Sequence, residues 1–136
     1  MKKLNNLSEI SNLYDAYIID LWGVMHDGVK INSEALKVVK NLEKLGKRIT
    51  FLSNAPRPNK NVISFLKRIK LEDKFLNYVM TSGEAAVKSL HEQKFGKKFY
   101  HIGPPRDAPL FEGLERDKIS IENCEFILCS GLFDEI

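Results

Sequence analysis

The sequence predicts an α/β protein built on a doubly wound parallel sheet. Three observations lead there. Short apolar runs bounded by polar residues alternate with amphipathic stretches of helical period, the order they make is β-α-β-α-β-α-β, and polar side chains gather just beyond the ends of the runs.

The first run, AYIID at 16–20, is short and apolar, as a buried parallel strand is. After a turn rich in Gly and Asp, residues 33–46 place Leu36, Val39, Leu42 and Leu45 on one helical face. Asn32 or Ser33 suits the start of that helix and Gly46 its end. RITFLSN at 48–54 reads as the second strand, and APRP follows, with Pro58 placed to open the next helix. In 59–70, Val62, Leu66 and Ile69 share a face, with lysines opposite. YVMT at 78–81 is a third strand, with Ser82 as the cap of a helix through SGEAAVKSLHEQK. KKFYHIG (97–103) and CEFILCSG (124–131) read as further strands, joined through a loop or short helix in PPRDAPLFEGLE.

A chain of 136 residues with 43% hydrophobic and 29% charged residues has the make-up of a folded domain rather than a disordered one. Its formal charge of +3, from 21 basic and 18 acidic residues, is too balanced for a nucleic-acid footprint. The lysines spread along polar helix faces instead of clustering with aromatics. The start of the chain lacks the unbroken apolar core of a secretory signal, and no segment has the length and apolarity of a membrane span. Cys124 and Cys129 stand at an odd offset in CEFILC, which on a strand sends them to opposite faces, so reduced, buried thiols and a cytoplasmic setting are expected. Three histidines at 26, 91 and 101 show no zinc-ligand spacing.

Ligands of parallel α/β sheets sit beyond the carboxyl ends of the strands. There the sequence puts Asp20 after the first strand, Ser53 and Asn54 after the second, and Thr81 and Ser82 after the third. No GxGxxG follows the first strand and no GxxxxGK[ST] occurs, so two familiar nucleotide cradles are missing. A strand-ending carboxylate followed by a glycine suits a nucleophile attacking phosphorus, because Gly23 lets the backbone turn sharply. Phosphoryl transfer needs positioned positive charge, hence an expectation of Mg²⁺. The plainer readings are a turn-capping Asp20, a turn at Ser53-Asn54 before Pro56, a turn in MHDG (25–28), a solvated Arg57, and loop residues at Arg106 and Asp107.

Asp20-x-x-Gly23-Val24, then a strand ending in Ser53-Asn54, then TSGEAAVKSL at 81–90, resembles the haloacid dehalogenase (HAD) superfamily. Within it, the chain is similar to the subfamily IIA group of sugar phosphate, nucleotide and pyridoxal phosphate phosphatases. The resemblance implies a HAD-like, Rossmann-like core over residues 1–94 and the start of an inserted α/β cap over 95–136. It implies that Asp20 is the nucleophile that becomes aspartyl phosphate and binds Mg²⁺ through one oxygen. Ser53 and the Asn54 backbone N–H would hold the phosphoryl group, and a small phosphorylated substrate is the expected partner.

Trp22 stands where phosphatases of this family usually carry a second Asp, the general acid and base. Its backbone carbonyl still suits the metal, while its side chain either covers a substrate pocket or fills the space of the lost acid. General acid–base catalysis is worth about two to four orders of magnitude. The family's further Lys and acidic motifs lie beyond Ile136, so a C-terminally truncated, weak or inactive enzyme is expected, with a catalytically silent phosphate-binding domain or a split-gene fragment as alternatives. Without the later strands the strand bearing Asp20 becomes a sheet edge, open to a partner chain or to self-association. A receiver-type phosphoacceptor domain is disfavoured, since Thr81-Ser82 holds the place of its acceptor.

Overall fold

The computed structural model describes residues 3–133, and the chain divides into two compact units that do not follow sequence order. The first comprises Met1–Ser53 and Ile63–Met80, the second Asn54–Val62 and Thr81–Ile136.

The first sheet has the order β1-β2-β3, formed by β1 (Ala16–Ile19), β2 (Arg48–Ser53) and β3 (Val79–Thr81). β1 and β2 are parallel, with Ile19 opposite Phe51. Between them runs α1 (Ser33–Lys44), whose Asn32 side chain accepts from the N–H groups of Glu34 and Ala35, closing the choice between Asn32 and Ser33. It ends before Gly46, which takes φ +70 as a left-handed helix stop requires. α2 (Asn59–Arg68) and the short α3 (Asp73–Leu76) follow β2. α2 stops two residues before the expected end because Lys70 adopts φ 69.

Burial in this unit is one-sided. β2 alternates strictly, with Ile49, Phe51 and Ser53 buried and Arg48, Thr50 and Leu52 exposed. Leu21, Met25, Val39, Leu42, Leu66 and Phe75 complete the core on the inner side. On the outer side Ile18, Leu52 and Met80 are all exposed, Ile18 to 73%. The expectation of a buried first strand is therefore corrected: β1 is the edge of the sheet, with only Tyr17 and Ile19 half-buried. Among the described residues no strand pairs with the far side of β1, in line with the expected open edge.

In the second unit β4 (Phe99–Ile102) and β5 (Phe126–Cys129) pair in parallel as a separate two-stranded sheet, so the strands do not join one continuous layer. α4 (Ser82–His91) and a 3-10 helix at Pro105–Phe111 enclose a small core of Leu90, Phe99, Leu110 and Phe111. Thr81, not Ser82, caps α4: its Oγ1 accepts from the Glu84 N–H, while Ser82 Oγ donates to the Ala55 carbonyl. Both cysteines are free, but Cys129 is exposed and Cys124 half-buried, which corrects the expectation of buried thiols; Cys129 takes an outward position on β5.

Truncating the inner and outer faces of β2 separates their roles. Phe51→Ala is expected to lower unfolding free energy by about 3–5 kcal/mol, and Leu52→Thr to change it by no more than about 0.5 kcal/mol. Urea denaturation of the two variants checks this, and equal losses would contradict one-sided burial.

Candidate active site

The β1–β2 register brings two of the expected site residues to one rim. Asp20 is the first residue past β1 and Ser53 the last of β2, on adjacent parallel strands whose paired register ends at Ile19 and Phe51, one residue before Asp20 and two before Ser53. Asp20 is exposed and its Oδ1 accepts from the Leu21 N–H at 2.7 Å, which fixes the carboxylate against its own backbone. Ser53 is 8% exposed, on the inner face, and Asn54 beyond it is exposed.

The loop after Asp20 is locked by its own backbone. Leu21 and Met25 are buried, and the Leu21 carbonyl accepts from the N–H groups of Met25 at 2.8 Å and His26 at 3.1 Å. Gly23 returns the chain with φ +75 and donates to the His26 carbonyl. Nothing lies within 4 Å of the place its Cβ would take, so the backbone angle, not crowding, demands glycine there.

Trp22 does not fill an interior space: it is 66% exposed. Its six-membered ring rests against Gly28, where an added Cβ would come within 2.5 Å of it, and its indole meets the His26 ring at 5.7 Å and 86°. His26, which the sequence presents as part of a turn, is buried between Trp22 and Phe65, the latter 4.9 Å away. The Gly28 N–H donates to its Nδ1, which leaves the proton of the neutral ring on Nε2. Burial holds the His26 pKa below its ordinary value, against the opposing pull of the Asp27 and Asp20 carboxylates. Backbone N–H groups of Lys30 and Val29 lower that of Asp27. A cavity of about 540 Å³ opens along this loop, lined by Gly23, Val24, His26, Asp27, Lys30 and Ile31 among others, but not by Asp20.

The segment after Ser53 is held by a polar knot. Thr81 Oγ1 donates to the Arg57 carbonyl at 2.6 Å, the Thr81 N–H donates to Asn59 Oδ1, and the Asn59 N–H donates to Glu84 Oε2 at 2.8 Å. Gly83 lies so close to Arg57 that an added Cβ would stand 2.2 Å from its backbone nitrogen. Thr81, placed at the rim by the sequence, is therefore 1% exposed and structural. Arg57 keeps an exposed side chain and contributes its carbonyl.

The sequence also under-read Asp107. It is 1% exposed, its Oδ2 accepts from Ser130 Oγ at 2.9 Å, and Ser130 Oγ lies 2.8 Å from His101 Nε2. The apolar Leu110-Phe111 just after it was the available signal that this stretch turns inward. Among the described residues no group of three His, Cys, Asp or Glu side chains could hold a metal ion. The oxygen donors the sequence assigns to a metal, Asp20 and the Trp22 carbonyl, are of the kind Mg²⁺ takes, an ion that keeps several waters and completes its shell with substrate phosphate.

The sequence profile of the haloacid dehalogenase-like hydrolases matches residues 17–115, a span that holds Asp20, Ser53 and the Thr81 knot. The chain belongs to that family. Solved structures agree in fold. A haloacid dehalogenase-like hydrolase from Brucella suis 1330 superposes with a TM-score of 0.79 at 25% identity, over 96% of this chain and 49% of that one. A p-nitrophenyl phosphatase from Archaeoglobus fulgidus gives 0.63 at 26%, over 83% and 43%. A glycerol phosphate phosphatase from Mycobacterium tuberculosis, solved with calcium, gives 0.62 at 16%, over 93% and 38%. The chain thus spans about half or less of the length of these structures. No curated protein matches it in sequence.

The lowered His26 pKa sets a direction for stability. Between that value and the ordinary 6.5 the unfolded chain binds the extra proton, so this contribution is complete above about pH 6.5 and is lost as pH falls through 6.5 toward the folded value. His101, lowered by burial and by Lys118, acts in the same sense. NMR titration of His26 is expected to show a midpoint below 6.5; one at or above 6.5 contradicts its burial.

Proposed function

We propose that this chain carries the nucleophile-bearing part of a Mg²⁺-dependent phosphatase that hydrolyses small phosphate monoesters through an aspartyl phosphate on Asp20. Residues 1–94 belong to its core and 95–136 begin its cap. The observation that carries the reading is the rim itself: a backbone-fixed carboxylate one residue past β1, beside the strand that ends in Ser53, within the span of the family match.

In the first step a carboxylate oxygen of Asp20 bonds to phosphorus as the ester P–O bond breaks, and the leaving alkoxide takes a proton. In the second, water attacks the same phosphorus, returning the Asp20 carboxylate and releasing phosphate. Ser53 and the Asn54 N–H hold the phosphoryl oxygens. Asp20 and the Trp22 carbonyl would hold Mg²⁺, which when bound would supply charge neutralisation there.

The indole N–H of Trp22 is far too weak an acid to serve as general acid, so the leaving oxygen takes its proton from water. The rate then falls as the leaving alcohol becomes less acidic, and turnover by the chain alone is slow. A catalytically silent phosphate-binding role is the second reading, favoured by that same Trp22. The working compartment is the cytoplasm; no helix among the described residues is long and apolar enough to cross a membrane. The free edge of β1 takes a further strand, from a partner chain or a second copy.

Phosphate release from a panel of esters with Mg²⁺ tests this. Asp20→Asn is expected to bring release to the blank, and Ser53→Ala to lower kcat by about 10²–10³. Release unchanged in Asp20→Asn removes the nucleophile assignment, and saturable phosphate binding without turnover favours the silent domain.

A further inference from the structure

We propose that Trp22 is an aromatic platform that stacks on a planar ring in the organic part of the ligand, so that the site prefers phosphate esters carrying an aromatic or heteroaromatic ring. The inference rests on the reading of Asp20 as the phosphate-directed residue and adds the class of ester it takes.

Exposing an indole to 66% at the rim of a sheet forgoes the burial that usually decides where Trp goes. A tryptophan recruited only to fill a vacated side-chain position would be interior, and this one is not. Nor is it loose. Gly28 supports its six-membered ring at a distance no other residue allows, and φ +91 at Gly28 makes glycine the residue for that backbone as well. The His26 ring stands perpendicular to the indole, and His26 is itself pinned by Phe65 and the Gly28 N–H. The loop's backbone bonds to the Leu21 carbonyl fix the frame. A large apolar ring that is both exposed and positioned, two residues from the carboxylate, presents a surface with little conformational entropy left to lose on stacking. Stacking of a planar ring on such a side chain tolerates different rings, because each presents a π-face.

Trp22 is the sole tryptophan of the chain, so its emission reports on the platform directly. The full chain with Mg²⁺ is titrated with adenosine monophosphate and with glycerol 3-phosphate, both primary alkyl phosphate monoesters, of which only the first carries a planar base. The base-bearing ester is expected to quench emission saturably and to bind, by calorimetry, about tenfold or more weakly to Trp22→Leu, with Trp22→Phe keeping most of the affinity. Glycerol 3-phosphate is expected to bind all three proteins alike. Equal binding of the two esters, or no loss in Trp22→Leu, overturns the platform and leaves the phosphatase reading standing. If neither ester binds, the phosphate reading falls and adenosine alone decides the platform: saturable quenching supports it, and its absence overturns it.

Discussion

Parallel pairing of Ala16–Ile19 with Arg48–Phe51, in the register that sets Ile19 beside Phe51, is the constraint on which the site depends. That register is enforced by β2, whose Ile49 and Phe51 face the core while Thr50 and Leu52 face out. Because side chains alternate, a slip of one residue in β2 would expose Phe51 and bury Thr50 and Leu52. The same slip would carry Ser53 away from the strand end where Asp20 stands. Core packing and site geometry are therefore one requirement on a single strand.

The sheet pays unevenly for this arrangement. Its inner face is closed by Leu21, Met25, Leu66 and Phe75, whereas Ile18, Leu52 and Met80 stand in water on the other face. Parallel sheets are ordinarily covered on both sides. Fully covering side chains of this size is worth about 1.5–3 kcal/mol each, so the outer face and the edge of β1 are the weakest parts of the first unit.

Most of the fold was legible in the sequence because its local signals agree with its tertiary structure. Asn32 and Gly46 bracket α1, and the apolar spacing of α1 and α2 matches their buried faces at Val39, Leu42, Val62 and Leu66, whereas Leu45, expected on the same face, lies past the end of α1 and is exposed. What periodicity could not convey was the partner of each strand. The apolar run AYIID reads as a buried strand, and only the family resemblance makes β1 an edge; the thiols of CEFILC read as buried, yet Cys129 on β5 is exposed. At the site, Asp20 and Ser53 were marked by their place after strands. The burial of His26 and Asp107 depends on contacts with Phe65 and Ser130, which come from distant parts of the chain and leave no spacing to read. The sequence allows Trp22 as either a cover or a filler, and its 66% exposure argues against the second.

The central claim is that the Asp20 carboxylate accepts a phosphoryl group. The direct measurement is peptide mass spectrometry of the chain, acid-quenched after exposure to acetyl phosphate and Mg²⁺. The account predicts one phosphoryl group on the peptide that contains Asp20, and none in Asp20→Asn. A phosphoryl group on any other residue, or none in the unsubstituted chain, contradicts it.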